Sequence, residues 1–316
     1  MGINEEKRID LSLKIKDFEL KNPIITASGT YGYNNEFEVF CDVKNLGAVV
    51  TKGITLEPRA GNEGERIFET YGGLINRIGL ENVGIQEFLK DKLSTIKRCN
   101  INYILNIAGN TPEDYIELAK IAQKNDIKAV EVNVSCPNVK CGCIEFGTNK
   151  QALYELVSMV RKHYEHCLIV KLSPNVTSAE EIAEAAQSAG ADAVSAINTV
   201  RGMGVKLDFI KGQDSIKIKK TTVSGGLSGK TIKPIALSFI DRISKVIDIP
   251  IIGMGGIYTL DDVLEFFSVG AKAVQIGTAN FTHPDVAEKL VNDLKIFMGV
   301  NGFKTLEELQ KALKEA

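Results

Sequence analysis

Eight short runs rich in β-branched residues recur along the chain, at 23–29, 48–54, 103–108, 129–136, 168–173, 193–199, 250–256 and 273–279. Each is followed by a longer amphipathic stretch. Most runs lack the apolar/polar alternation of a strand with one wet face, as expected of parallel strands buried on both sides. Parallel neighbours need a crossover connection, usually a helix, so the alternation predicts repeated βα units. Eight such units closing on themselves make an α/β fold of the (β/α)8 TIM-barrel type, typically about 250 residues long. The 316 residues then read as one domain, 1–316, with insertions. A doubly wound open sheet is the competing architecture, but its usual strand number is five or six.

The intervening stretches carry helix punctuation. Thr111, Pro112 and Asp114 supply a cap, a first-turn proline and a first-turn acid. Thr177 with Glu180 reads as a capping box closed by Gly190, and Thr259, Asp262 and Gly270 repeat the pattern. Surplus chain falls only after the second, fourth and sixth runs, at 56–82, 137–148 and 200–230. In a barrel of this kind the C-terminal ends of the strands hold the active site, so these insertions are expected to wall or cover it. Residues 9–21 read as a hairpin closing the opposite end. Residues 305–316 read as a capped helix with Leu306, Leu309 and Leu313 on one face.

The run ends point to a ligand. The last two finish in Gly253-Met254-Gly255-Gly256 and Gly277-Thr278, where glycine lets backbone N–H groups approach a phosphate closely. Ser28, Lys52, Asn106, Asn133, Lys171, Asn198 and Thr199 lie at or beside other run ends. A single asparagine there reads as a loop cap, whereas the set, converging on one mouth, suggests a flat ligand with many hydrogen-bonding edges. A lysine in such a place serves as Schiff base, phosphate contact or fixed cation beside an electron-rich cofactor. For Lys52 and Lys171 a flavin fits best, because its reduced form carries negative charge.

Charge and cysteine usage narrow the class. The balance of 38 basic and 40 acidic residues speaks against a nucleic-acid surface. No apolar run is long enough for a membrane span, and the first residues lack a signal-peptide pattern. The six cysteines then read as reduced thiols of a cytoplasmic protein. Three of them, Cys136, Cys141 and Cys143, crowd together with a spacing that matches neither a ferredoxin run nor a zinc site. His163 and His166 near a helix end, and His283 before Pro284, read as solvated groups rather than metal ligands. Lys217, Lys219 and Lys220 read as a solvated hairpin edge.

The segment 131–140, E-V-N-V-S-C-P-N-V-K, resembles the active-site signature of dihydroorotate dehydrogenases. The likeness continues in T-A-S-G-T (26–30), T-K-G-I (51–54), N-R-I-G-L-E-N (76–82), V-K-L-S-P-N-V (170–176), A-I-N-T (196–199), G-G-L-S-G (225–229), I-P-I-I-G-M-G-G-I (249–257) and I-G-T-A-N-F (276–281). The resemblance implies FMN at the mouth of the barrel and oxidation of dihydroorotate to orotate in pyrimidine biosynthesis. It makes Cys136 the base that removes the C5 proton while C6 gives hydride to the flavin. It assigns FMN to Ser28, Lys52, Gly53, Asn106, Asn133, Lys171, Ile197, Gly229, Gly255, Gly256, Gly277 and Thr278. Substrate falls to Lys52, Asn76, Arg77, Ile78, Gly79, Leu80, Asn133, Asn198 and Thr199. No metal is implied.

A cysteine base resembles the branches without a membrane helix, and 131–140 together with F-G-T-N (146–149) is more similar to the NAD-linked type than to the fumarate-linked homodimer. That type implies FMN alone on this chain, and a homodimer core flanked by two electron-transfer subunits carrying FAD and a [2Fe-2S] cluster. Transfer-RNA dihydrouridine synthases are also FMN barrels with an active-site cysteine, but would be expected to show a basic face. A non-enzymatic phosphate-binding barrel would be colourless. Where the family usually has glycine, this chain has Cys143, so Cys141 or Cys143 is expected to threaten Cys136 with oxidation to a disulfide.

Overall fold

The computed structural model describes residues 9–33, 39–134, 146–211 and 216–316. Eight parallel strands close a barrel: β1 (Ile24–Thr26), β2 (Ala48–Val50), β3 (Tyr103–Ile107), β4 (Ala129–Asn133), β5 (Cys167–Lys171), β6 (Ala193–Ala196), β7 (Ile251–Met254) and β8 (Ala273–Ile276). All eight expected runs are present and pair in sequence order, β8 closing on β1 through Gln275 opposite Ile25. Nearly every strand residue is buried, which is why the runs read as continuously apolar. The strands are shorter than the runs at their C-terminal ends, because the polar residues there leave the ladder to line the mouth.

The two ends of the barrel are built differently. At the N-terminal end, Leu13–Ile15 and Phe18–Leu20 form the expected hairpin. Its Ile15, Phe18 and Leu20 pack with Ile25, Ala48, Ile104, Ala129, Ile169, Ala193, Ile252 and Ala273 into a plug under the strand starts. The C-terminal helix, Leu306–Glu315, begins at a Thr305/Glu308 capping box and buries Leu306 and Leu309, with Leu313 partly buried beside them. Capping boxes at Thr111/Asp114 and Thr259/Asp262 start two barrel helices as expected. At the third site the cap is one residue later. Ser178, not Thr177, accepts from the N–H of Glu181, and the Glu180 carboxylate accepts from the Ser178 hydroxyl at 3.2 Å and from the Arg242 guanidinium at 2.6 and 2.7 Å. His163 and His166 lie beyond the helix Lys150–Arg161 rather than on it, and His166 Nδ1 meets Asp17 Oδ2 at 2.9 Å.

At the mouth, two insertions distant in sequence become one structure. Ile67–Thr70 and Gly73–Asn76, after β2, join the hairpin Val200–Lys211/Ile216–Gly229, after β6, in a four-stranded antiparallel sheet. The junction pairs Gly226 with Asn76 and Gly229 with Gly73. A Cβ at Gly225 would lie 2.0 Å from the Asn76 carbonyl oxygen, so glycine is what lets these strands meet. Beyond the junction the hairpin projects outward, and Lys217, Lys219 and Lys220 are exposed on it, in accord with a solvated edge. Of the third insertion only the turn Phe146–Thr148 is described.

Candidate active site

A cavity of about 980 Å³ opens at the C-terminal ends of the barrel strands, beneath the four-stranded sheet. Ligand pockets usually run from about 300 to 1,000 Å³, so this one has room for a cofactor and a substrate together. It is lined by Ser28, Lys52, Gly53, Asn133, Lys171, Ile197, Gly229, Gly255, Gly256, Gly277 and Thr278. It is lined also by Asn76, Arg77, Ile78, Gly79, Leu80, Asn198 and Thr199. The residues expected to hold FMN and those expected to hold substrate therefore face one space. Asn106 sits apart from them, fully buried on β3 with its Nδ2 donating to Glu131 Oε1 at 2.7 Å. Cys136, Cys141 and Cys143 lie outside the described residues.

One side of the cavity is a glycine cradle. Gly255 and Gly256 follow β7 with φ of 125° and 79°, in the region that L side chains rarely enter. A Cβ on Gly256 would come within 2.8 Å of Lys233 Cβ and 3.1 Å of both the Gly229 oxygen and the Lys233 nitrogen. Gly277 and Thr278 follow β8 and lead into the short helix Ala279–Thr282. Thr278 Oγ1 donates to Ser228 Oγ at 2.8 Å, tying this end of the cradle to the overlying sheet. The cradle is steadied from outside by Asp262, whose carboxylate binds the Lys233 ammonium at 2.6 Å and the N–H groups of Tyr258 and Thr259 at 2.8 Å each. Burial pushes the Asp262 carboxyl up, but these contacts outweigh it and hold the group below the usual carboxylate range.

The opposite wall is the stretch 76–80. Asn62 fixes it, donating from its backbone N–H to the Ile78 oxygen at 2.9 Å and from Nδ2 to the Arg77 oxygen at 2.7 Å. Asn82, buried, receives the N–H of Gly84 at 2.8 Å and donates to the Leu80 oxygen at 2.7 Å. Asn76 Nδ2 donates to the Gly226 oxygen at 3.1 Å. Asn198 Nδ2 lies 3.4 Å from Asn133 Oδ1, which sets two amides side by side across β4 and β6. The wall is pre-formed by hydrogen bonds to its own backbone, made largely by the Asn62 and Asn82 side chains.

The charge is one-sided. Among the described residues, Lys52, Arg77, Lys171 and Arg201 line the cavity against a single acid, Glu81, and Glu81 is engaged by Arg66 at 2.6 Å. Lys52 lies 6.0 Å from the centroid of the Tyr33 ring, while Lys171, 5% exposed, rises from the floor. An excess of fixed cations around amides and a glycine cradle suits a ligand set with a phosphate and a carboxylate.

The comparisons agree with this geometry. Residues 10–298 match the family model described as dihydroorotate dehydrogenase. The chain belongs to the dihydroorotate dehydrogenase family. It is similar to the dihydroorotate dehydrogenase B (NAD(+)) catalytic subunit of Geotalea uraniireducens, 46% identical over 305 residues, covering 96% of this chain and 98% of that protein. The proteins of the same description from Geobacter metallireducens and Bacteroides thetaiotaomicron are 45% and 43% identical, over 98% and 96% of this chain and 99% of each relative. Members of this family bind FMN, and the residues here fit it. The cradle leaves no room for side chains at Gly256, the buried Lys171 offers a fixed cation, and amide edges are abundant.

Glu131 opens the 131–140 motif but drew no role from it. It lies inside the barrel on β4, fully buried, two residues before the cavity-lining Asn133. A charged residue in an otherwise apolar strand was the available signal.

Proposed function

We propose that this chain oxidises (S)-dihydroorotate to orotate, with FMN held by the glycine cradle and substrate held against the 76–80 wall. The observation that carries the reading is the convergence, in one cavity of a chain of this family, of the cradle at β7 and β8, two lysines, and the amides of Asn76, Asn133 and Asn198. When bound, FMN supplies the acceptor for the two electrons that leave C6 as hydride. The chain's own residues do the rest. Gly255, Gly256, Gly277 and Thr278 receive the phosphate on backbone N–H groups. Asn76, Asn133, Asn198 and the Thr199 hydroxyl pair with the imide edge of the pyrimidine, since amides offer both donors and acceptors. Lys52 lies between substrate and cofactor and offsets carboxylate charge. The Cys136 Sγ takes the proton from C5, which completes the loss of two hydrogens from the C5–C6 bond.

A partner subunit carrying FAD and a [2Fe-2S] cluster would supply the path from this chain to NAD+, in an assembly of two catalytic and two partner chains built on a homodimer. The relatives' description as NAD(+)-linked catalytic subunits supports this. So does the projecting hairpin, where Met203, Leu207, Phe209, Ile216 and Ile218 are each at least half exposed, an apolar display of the kind found at protein interfaces. Among the described residues no helix is long and apolar enough to cross a membrane. Orotate formation is measured with fumarate, and with NAD+ in the presence and absence of the co-expressed partner. Turnover with NAD+ only when the partner is present is the expected result, and turnover with fumarate by the isolated chain overturns the acceptor assignment.

A further inference from the structure

Among the described residues only Glu131, Lys171 and Asp262 are buried charged side chains. Asp262 belongs to a helix cap, which leaves Glu131 and Lys171 as the charged pair of the barrel interior. The Glu131 carboxylate gathers four strands. Its Oε1 accepts from Asn106 Nδ2 on β3 at 2.7 Å and lies 3.8 Å from the Lys171 ammonium on β5. Its Oε2 accepts from Ser195 Oγ on β6 at 2.7 Å and Gln275 Nε2 on β8 at 2.8 Å. A carboxylate only accepts, so it compels both amides to turn their NH2 groups inward and the ammonium to point at it.

Stability alone is a weak reason for this arrangement. Removing two charges from water is costly, and well-packed apolar replacements of buried pairs are often neutral or stabilising. The pair's position supplies another reason, because Lys171 and Gln275 both line the cavity while Glu131 sits beneath them. We infer that Glu131 is a positioning residue. Its carboxylate anchors the Lys171 ammonium, offsets its charge, and so sets how much positive charge the cavity floor presents to an electron-rich reduced flavin. The inference rests on the FMN reading of the cavity.

The test is a spectroelectrochemical titration of the FMN-loaded protein. In Glu131→Gln the negative charge is gone and the ammonium stands alone, which favours the reduced, negatively charged flavin. The ratio of reduced to oxidised FMN at fixed potential rises at least tenfold, equivalent to about 30 mV for a two-electron couple. Glu131→Asp, which keeps the charge, stays closer to wild type. If the lone buried ammonium prevents folding of Glu131→Gln, the comparison moves to Lys171→Gln with and without Glu131→Gln. The single variant shifts toward oxidised flavin, and removing the carboxylate shifts it back at least tenfold. Wild-type protein that binds no flavin refutes the FMN reading. Variants that bind FMN but stay within about threefold of their reference ratio overturn the role of Glu131 and leave that reading intact.

Discussion

Gly277→Ala separates the demands of the fold from those of the ligand. Gly277 lies outside the positive-φ glycines, so alanine meets no backbone strain there. A Cβ built on it has its nearest neighbours at 3.5 Å (Ala27 Cβ) and 3.9 Å (Thr30 Cγ2), which is ordinary van der Waals contact. The fold should therefore accept the methyl, and loss of unfolded-state freedom should stabilise the protein by about 0.4–1 kcal/mol. The ligand should not accept it. If a phosphate oxygen sits on the cradle, the methyl takes space it needs and disrupts a hydrogen bond to a charged acceptor, worth about 1.5–3 kcal/mol. That is roughly a 10- to 150-fold loss of FMN affinity. Titration of the apoprotein with FMN by flavin fluorescence, alongside urea unfolding of the apoprotein, measures both quantities. Gly256→Ala is the counterpart. With φ at 79° and a 2.8 Å approach to Lys233 Cβ, it should lose about 1–3 kcal/mol of apoprotein stability as well as affinity. Wild-type FMN affinity in Gly277→Ala would refute the placement of the phosphate at the β8 end.

Two further outcomes follow from the site and its support. Cys136→Ala should retain FMN and lose more than nine-tenths of turnover, and wild-type turnover should rise from about pH 6 to about pH 9, because an unperturbed thiol ionises near 8.5; steady-state rates across that range check both. Asp262→Ala removes the charged hydrogen bonds to Lys233, which keeps Glu265 at 2.8 Å, and to the N–H groups of Tyr258 and Thr259, and should cost about 1.5–3 kcal/mol at neutral pH. Because the Asp262 carboxyl is held below the usual range, its contribution is complete above the unfolded aspartate value of about 3.9. It is lost as pH falls through the lower folded value, so the stability gap between wild type and variant should narrow as pH drops below the unfolded value and close in more acid solution. A gap that stays constant to acid pH would show that the ion pair is not its source.

The barrel was legible because parallel strands buried on both faces are written as unbroken apolar runs, and nothing else in the chain imitates eight of them. The mouth was legible for a related reason. Ser28, Lys52, Asn133, Lys171, Asn198 and Thr199 are polar residues at the ends of apolar runs, and each lines the cavity. What escaped depends on register between segments far apart in sequence. Asn76 and Gly226 are 150 positions apart, so the two insertions read as separate walls, whereas the chain pairs them as one sheet. The G-G-L-S-G stretch read as part of a ligand signature. In the structure Gly225, Gly226 and Gly229 all line the cavity, but Gly225 is also required by the sheet itself, since a Cβ there would fall 2.0 Å from the Asn76 oxygen, and one on Gly226 would fall 2.0 Å from Thr199 Oγ1.

Glu131 escaped for the same reason at shorter range. Within its own strand it is one acid among valines, and its meaning comes from Asn106, Lys171, Ser195 and Gln275, contributed by four other strands. A residue whose partners all arrive by tertiary register cannot be assigned from spacing, yet an ionisable group costs too much inside a barrel to be there without partners. An acid in the interior of an apolar run is therefore a sequence-level demand for a buried cation or donor set. Here Lys171, itself a polar end to an apolar run, is the residue that meets that demand, and it does so from the floor of the site where a fixed cation matters to the chemistry.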